Sequence, residues 1–213
     1  GKTTVFNCIS GFYQPSGGGI TLAGSSIAGL GSHNVARRGV VRTFQNVRLF
    51  KDMTALENLL VAQHRLMRTS FLAGLFNTAG YRRAEQQALD NALHWLDYMG
   101  LRAYANRAAG NLPYGHQRRL EIARCMITRP QVLMLDEPAA GLNPQEKKDL
   151  QQLIDQLRQQ HGVAVLLIEH DMGLVMGVSE RILVMEYGKP IATGTPEAIR
   201  NDERVIKAYL GEA

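Results

Sequence analysis

Short apolar runs alternate with longer amphipathic stretches at both ends of the chain, whereas its middle is mainly amphipathic. Residues 132–135 are a continuous apolar run, which is typical of a parallel strand buried on both faces. Residues 163–168 and 181–185 have the same character and predict two more buried strands. Shorter strands are predicted at 20–22, 40–44 and 189–192.

Apolar side chains also recur at helical spacing in several longer segments. Helices are predicted at 2–10, 33–38, 55–66, 81–99, 117–127 and 144–160. Pro144 occupies a favoured first-turn position, and Thr195 is expected to cap a last helical segment. Residues 69–80 lack clear periodicity, and we interpret them as a loop or an insertion.

The order of these predicted elements indicates the class of fold. Strands and helices alternate before residue 55 and after residue 128, and the segment between them is mostly helical. This order predicts an α/β fold with a mostly parallel sheet and an inserted helical subdomain. A length of 213 residues fits one domain, so we expect residues 1–54 and 129–213 to form its core and residues 55–128 its helical subdomain.

Composition and charge limit the classes of function that the chain can have. The formal net charge is +5, but Lys and Arg are scattered without a run of five, which argues against a nucleic-acid partner. No apolar run approaches the roughly 18 residues of a membrane span, so any link to a membrane is expected to come through a partner protein. Cys8 and Cys125 lie in apolar helical patterns, form no metal-spaced cluster and fit a reducing cytosol.

Gly1-Lys2-Thr3-Thr4 matches the end of a phosphate-binding loop of the form G-x-x-x-x-G-K-[ST]. In such a loop, backbone N–H groups and a helix N-terminus hold phosphates, the lysine reaches the β- and γ-phosphates, and the next hydroxyl holds Mg²⁺. The four residues alone fit an ordinary helix start equally well. The chain has no initiator methionine, and we expect the first half of the loop to lie upstream.

Asp136 and Glu137 follow the apolar run at 132–135 in the Walker B pattern, in which a buried strand delivers a carboxylate to its C-terminal end. Sheets of α/β proteins bind ligands at that end of their strands. We predict that Asp136 holds Mg²⁺ and that Glu137 polarises the attacking water as a general base. Ordinary loop carboxylates after a strand are the alternative.

Three further features are ambiguous when each is taken alone. Gln45 follows a predicted strand and would by default be a surface residue. His170 follows another predicted strand and would by default be solvated. Residues 112–117, with the sequence LPYGHQ, precede a basic helix and fit an ordinary turn.

The order of the motifs along the chain identifies them. The chain resembles the ABC ATPase family because it carries that family's motifs in the same order. These are a Gly-Lys-Thr-Thr string, a strand followed by glutamine, a helical segment, a Leu-x-x-Gly-x-Gln helix start, an apolar strand ending in Asp-Glu and a strand ending in histidine. Gln45 matches its Q-loop and His170 its switch histidine. Its signature sequence is matched by Leu112, Pro113, Tyr114, Gly115 and His116. Its D-loop is matched by Ala140, Gly141, Leu142 and Asn143.

The resemblance implies a P-loop NTPase core, and two such domains packed head to tail around two ATP molecules. Nucleotide binding would fall to Gly1, Lys2, Thr3, Thr4 and Gln45. Magnesium would be held by Thr3, Gln45 and Asp136. Catalysis would fall to Glu137 and His170, and each signature would act on the partner's ATP. The N-terminal β-subdomain of the family is expected to be largely missing from this chain.

Pro113 departs from the family signature Leu-Ser-Gly-Gly-Gln, whose serine donates a hydroxyl to the γ-phosphate. Proline has neither a hydroxyl nor a backbone N–H, and Tyr114 and His116 also differ from the family residues. The Gly115 amide and the dipole of the following helix remain available for an anion. We therefore expect weaker hydrolysis at the site that this signature completes.

Several segments are similar to the ATP-binding subunits of branched-chain amino acid importers. These segments lie at 41–50, 54–64, 114–124, 135–144 and 208–213. The similarity implies a second ATPase subunit, transmembrane permease subunits and, indirectly, a periplasmic binding protein. It also implies a peripheral location on the cytoplasmic face of the inner membrane.

Related ABC systems for urea or amide import and for lipopolysaccharide export are alternatives, because the ATPase does not touch the cargo. A soluble ABC ATPase of DNA maintenance would need a long coiled coil between Gln45 and Leu112, which this interval cannot hold. A ribosome-acting ABC factor would carry two ATPase domains. A nucleotide-binding module without turnover is a further alternative, against which Glu137 argues.

Overall fold

The computed structural model describes residues 1–63 and 79–210. Its helices are α1 (Lys2–Ile9), α2 (Ser32–Arg37), α3 (Ala55–Gln63), α4 (Ala79–Tyr98), α5 (Tyr114–Met126), α6 (Pro144–His161), α7 (Met172–Val178), α8 (Pro196–Arg200) and α9 (Glu203–Leu210). Its strands are β1 (Thr21–Leu22), β2 (Ser25–Ser26), β3 (Val40–Arg42), β4 (Val132–Asp136), β5 (Ala164–Ile168), β6 (Ile182–Glu186) and β7 (Lys189–Gly194). Short 3₁₀ turns at Arg102–Tyr104 and Ala109–Asn111 precede α5.

β4 is the middle strand of a parallel sheet with the order β3–β4–β5. Its register places Leu133 opposite Val41 of β3 and Asp136 opposite Ile168 of β5. The carboxyl ends of the three strands therefore meet at one edge of the sheet, which we call the carboxyl edge. β1 pairs with β2 and β6 with β7 in antiparallel hairpins. The predicted α/β class and its parallel sheet are confirmed.

β5 and β6 are less buried than their apolar sequences predict. β4 is buried from Leu133 to its end, whereas β5 alternates in burial and leaves Leu166 38% exposed. In β6, Leu183 is 55% exposed. The prediction of buried strands at 163–168 and 181–185 is wrong in this respect because, within the described residues, β5 pairs only with β4 and β6 only with β7.

One hydrophobic core joins the helices of the middle segment to the parallel sheet. Leu96 of α4, Ile122 of α5, Leu135 of β4 and Leu157 of α6 are completely buried in it. Burying a leucine side chain contributes about 1.5–3 kcal/mol. The shared core therefore fixes α5 relative to β4, and with it the positions of the first turn of α5 and of the carboxyl edge.

The start of α5 differs from the prediction, which placed it at residue 117. The Gln117 N–H bonds to the Pro113 carbonyl at 3.0 Å and closes a first turn that contains Gly115. Glycine is a weak helix former, so the helical spacing was visible only after this turn. Pro113 occupies the N-cap position, where its fixed φ suits the chain entering a helix.

The middle of the chain also differs at the start of α4. This helix begins at Ala79, so Ala79 and Gly80 are helical although they were predicted to lie in a loop at 69–80. The rest of that loop, and the end of the helix predicted at 55–66, lie outside the described residues. None of the described helices is long and apolar enough to cross a membrane.

α6 begins where Pro144 predicts. Asn143 accepts hydrogen bonds from the N–H groups of Gln145 and Glu146, and the Glu146 carboxylate accepts one from the Asn143 N–H. This reciprocal capping satisfies donors that a helix start otherwise leaves free. Gly162 ends the helix at φ 61°. The capping bonds thereby fix Asn143, the last residue of the predicted D-loop, against the first turn of α6.

Candidate functional site

Asp136 ends β4 at the carboxyl edge, and its carboxylate is buried there against Arg42 of β3. The Arg42 Nη2 to Asp136 Oδ2 distance is 2.5 Å. Arg42 Nη1 also donates to Asn7 Oδ1 at 2.7 Å and to Ser10 Oγ at 3.3 Å, and both acceptors belong to α1 or its end. Arg42 therefore connects the predicted phosphate-binding helix to the predicted magnesium carboxylate. Arg42 was not among the predicted site residues, because its only signal in the sequence is a charge within a β-branched strand.

Glu137 has an unusual backbone conformation directly after β4. Its φ is +46°, in the left-handed region, which for a residue other than glycine costs about 1–3 kcal/mol. Its N–H bonds to the Ile168 carbonyl at 2.9 Å, and its Oε2 accepts a hydrogen bond from Gln45 Nε2 at 3.1 Å. Two residues that the sequence places in separate motifs therefore meet at the carboxyl edge.

Glu169 joins Ala139, directly before the D-loop, to the segment that carries His170. Its buried carboxylate accepts hydrogen bonds from the N–H groups of Ala139 at 2.8 Å, His170 at 3.1 Å and Asp171 at 3.4 Å. Three donors on one carboxylate hold these backbone segments together. Glu169 was not among the predicted site residues, although it stands between a strand and the predicted switch histidine.

A cavity of about 210 Å³ lies between the D-loop and the end of β5. It is lined by Ala139, Ala140, Gly141, Leu142, Lys147, Glu169, His170 and Asp171. The His170 side chain is 66% exposed, so it is free to meet a molecule that enters from solvent. The structure thus brings His170 and the predicted D-loop to the same cavity.

Asp171 and Lys147, which both line this cavity, form an ion pair. Lys147 Nζ lies 2.6 Å from Asp171 Oδ2, and Asp171 Oδ1 accepts from the Leu174 N–H as the cap of α7. The hydrogen bond from Lys147, followed by that from the Leu174 N–H, lowers the pKa of Asp171. This pair ties α6 to the start of α7.

The predicted phosphate-binding residues lie at the start of α1. Lys2, Thr3 and Thr4 are exposed in its first turn, where backbone N–H groups have no partner within the helix. Gly1 lies against the turn between β6 and β7, since a Cβ on Gly1 would be 2.7 Å from the Gly188 Cα. Among the described residues, Arg42 links α1 to Asp136 through Asn7, which lies beyond the first turn of the helix.

The predicted signature lies at the start of α5 and packs against the D-loop of the same chain. A Cβ on Gly141 would be 3.3 Å from the Tyr114 ring, and one on Gly115 would be 2.6 Å from Glu146 Oε1. Leu112 is buried, whereas Pro113 is exposed and offers no side-chain cap.

His116 completes the signature at the first turn of α5. Its ring lies 4.9 Å from that of Tyr104. Burial, reinforced by nearby Arg119, lowers the pKa of His116. The neutral imidazole is therefore favoured at this end of the helix.

The residues predicted to hold magnesium are all oxygen donors: the Thr3 hydroxyl, the Gln45 amide and the Asp136 carboxylate. Among the described residues there is no group of three or more His, Cys, Asp or Glu side chains that could hold a metal alone. Mg²⁺ usually binds through one or two carboxylates together with substrate phosphates and water. The donor set therefore fits a magnesium ion that arrives with a polyphosphate.

Comparisons with known proteins match this arrangement. The profile of the ABC transporter family matches residues 1–140, and that of the branched-chain amino acid ATP-binding cassette transporter matches residues 189–213. The high-affinity branched-chain amino acid transport ATP-binding protein BraF of Pseudomonas aeruginosa is 66% identical over 100% of this chain and 84% of its own length. LivG of Escherichia coli K12, which carries the same description, is 61% identical over the same shares.

Among solved structures, the ADP conformation of MJ1267, an ATP-binding cassette of an ABC transporter, superposes with a TM-score of 0.83. Its sequence is 30% identical, and the match covers 100% of this chain and 84% of that one. The fold and the sequence of this chain are therefore both similar to those of ATP-binding cassettes.

Proposed function

This chain belongs to the ABC transporter family, whose activity is ATP hydrolysis, and from that premise we propose that it powers an importer of branched-chain amino acids. The observation that carries the site of hydrolysis is the hydrogen bond between Gln45 and Glu137 at the carboxyl edge. The cargo is supported by the two bacterial relatives, which are named for branched-chain amino acid transport, and by the match over residues 189–213.

The phosphates of ATP are proposed to bind at the start of α1. Lys2 supplies an exposed positive charge, and the first-turn N–H groups and the helix dipole attract an anion. Arg42 ties this helix to Asp136. When bound, Mg²⁺ would be held by Thr3, Gln45 and Asp136 and would neutralise charge on the phosphates.

Glu137 is proposed to accept the proton of the attacking water at its carboxylate. The Glu137 N–H is bonded to β5, and Gln45 orients Oε2, so the carboxylate is positioned from two sides. A positioned general base typically contributes a factor of about 10²–10⁴ in rate. His170, exposed at the cavity beside the D-loop, is proposed to contact the γ-phosphate.

We propose that two ATPase subunits pair head to tail, so that the signature of one acts on the ATP of the other. The first turn of α5 keeps unpaired N–H groups for an anion although Pro113 lacks the family's hydroxyl. Tyr114 and Gly115 pack on Gly141 and Glu146, so the signature and the D-loop would face the partner as one surface.

The remaining assembly is proposed from the same family membership. Residues 55–128 would form the helical subdomain, which touches the membrane-spanning permease subunits, and residues 1–54 and 129–213 the nucleotide-binding core. A periplasmic binding protein would deliver the amino acid on the far side of the membrane. The chain would then lie at the cytoplasmic face of the inner membrane as a peripheral subunit.

The test is ATP hydrolysis by the complete transporter in proteoliposomes with its periplasmic binding protein. Leucine, isoleucine and valine are each compared with urea and a short amide as the added cargo. We expect the branched-chain amino acids alone to stimulate hydrolysis. Stimulation by urea or the amide alone would overturn the assignment of the cargo. A complex that binds ATP without hydrolysing it would overturn the enzymatic role.

A further inference from the structure

Arg118 is a completely buried arginine on α5, with 1% of its surface exposed. A buried guanidinium is tolerated only where hydrogen-bond acceptors surround it. Arg118 Nη1 donates to the Phe44 carbonyl at 2.7 Å, and Nη2 donates to the Gln45 carbonyl at 2.8 Å. Arg118 therefore holds two consecutive carbonyls of the segment 44–48, which we call the Gln45 loop.

Glu121 stands one helical turn further along α5 and holds the same loop from its N–H side. Its Oε2 accepts from Arg118 Nη1 at 2.9 Å. Its Oε1 accepts from the Arg48 N–H at 3.1 Å and from the Phe44 N–H at 3.4 Å. The buried ion pair thus bonds two carbonyls and two N–H groups of the loop backbone.

The bonds from this pair to the loop reach only its main chain. They fix the course of the backbone around Gln45 and leave its side chain free to point to Glu137, 3.1 Å away. Arg124, which lies one turn beyond Glu121 on α5, adds a bond to the Arg48 carbonyl. The loop is therefore bound to α5 at both of its ends.

The same helix starts with the signature residues. Arg118 Nη2 also donates to Tyr114 Oη at 3.1 Å, which connects the ion pair to the first turn of α5. In the proposed function, Gln45 serves the ATP of its own subunit, whereas Tyr114 and Gly115 face the ATP of the partner. The ion pair thus lies between the elements that serve two different nucleotides.

We propose that Arg118 and Glu121 are positioning residues that lock the Gln45 loop to the signature helix, so that Gln45 keeps its contact with Glu137 and moves together with the signature. The proposal rests on the proposed function. It explains why a costly buried charge is placed on carbonyls beside Gln45, where an apolar side chain could fill the space but could not hold the loop.

The test is a double-mutant cycle on ATP hydrolysis by the complete transporter, with Arg118→Lys and Gln45→Ala. Lysine keeps the charge but cannot hold two carbonyls in the planar geometry of a guanidinium. We expect Arg118→Lys to lower kcat about 10- to 100-fold with little change in KM for ATP, as misplacement of a reacting group does. Because Arg118 acts through Gln45, the double variant should be no slower than the slower single variant.

A purely structural role of Arg118 predicts a different result in the double-mutant cycle with Gln45→Ala. If Arg118 only stabilises the fold, its effect multiplies with that of Gln45→Ala, and the proposal is overturned. Ile122→Val is the matched control, since Ile122 is completely buried on the same helix and makes none of the loop bonds. Its effect should multiply with that of Gln45→Ala.

Glu121→Gln provides a second variant if Arg118→Lys does not fold. It keeps the shape of the side chain but removes the charge that Arg118 requires, and the cycle with Gln45→Ala is read in the same way. A wild-type complex without hydrolysis would overturn the proposed function. An active complex with independent effects of Arg118 and Gln45 would overturn only the positioning role.

Discussion

The guanidinium of Arg42 lies 2.5 Å from the carboxylate of Asp136, and the two side chains are only 7% and 6% exposed. Such a pair is stable only while both charges are present, because each is shielded from water that could solvate it alone. Arg42 Nη1 also donates to Asn7 Oδ1 in α1 and to Ser10 Oγ directly after that helix. The ion pair of Arg42 and Asp136 therefore fixes the position of α1 relative to Asp136.

Replacing Arg42 by Met should leave the Asp136 carboxylate buried without its partner. We expect the free energy of unfolding to fall by about 3–5 kcal/mol, measured by denaturant titration at neutral pH. Arg158→Gln is the control, since Arg158 pairs with a Glu180 side chain that is 81% exposed, and such surface pairs contribute about 0–1 kcal/mol. Equal losses in the two variants would contradict this account.

Glu169→Gln should loosen the attachment of Ala139, directly before the D-loop, without changing the size of the side chain. An amide nitrogen cannot accept from the N–H groups of Ala139 or His170, so at least one of these donors loses its partner. We expect a loss of about 1–3 kcal/mol in the free energy of unfolding and a lower kcat for ATP. Exposed Glu186→Gln serves as the control, and a Glu169→Gln variant that matches it in both measurements would refute the role given to Glu169.

The pair of Lys147 and Asp171 should make stability depend on pH. Since the pKa of Asp171 is lowered in the folded state, the stabilisation is complete above the ordinary pKa of 3.8 and is lost as the pH falls through the lower folded value. We expect Lys147→Met to have a lower Tm than wild type at pH 7, with a difference that shrinks below pH 3.8. A Tm difference between the two proteins that grows on acidification would contradict the lowered pKa of Asp171.

Pro113→Ser should restore the hydroxyl that the family signature places at the start of α5. Serine is a good N-cap, which stabilises a helix by about 0.5–2 kcal/mol relative to residues without a side-chain acceptor. Its hydroxyl can also donate a hydrogen bond to a phosphate. We expect faster ATP hydrolysis by the complete transporter. Pro113→Ala separates loss of the ring from gain of the hydroxyl, and hydrolysis by the serine variant at the wild-type rate would rule the idea out.

The burial of β4 and the position of Asp136 could be predicted from the sequence because a continuous apolar run reports a strand covered on both faces. The same reasoning failed for Leu166 and Leu183, since apolar composition does not say which neighbours a strand has. The start of α5 was placed too late because Gly115 interrupts the helical pattern that begins at Tyr114.

The buried charges could not be predicted because their partners are remote in sequence. Arg42 meets Asp136 across 94 positions, and Arg118 meets the Phe44 carbonyl across 74. A lone arginine in a strand or helix is expected to be solvated unless its acceptors are known. The left-handed conformation of Glu137 is similarly invisible in the sequence, since no glycine marks it.

Hydrolysis of ATP by the Glu137→Gln variant of the complete transporter tests the central assignment most directly. Glutamine keeps the size of the side chain but cannot take a proton from water. We predict that kcat falls at least about 10²-fold while binding of ATP is retained. Hydrolysis at the wild-type rate by this variant would contradict the assignment of Glu137 as the general base.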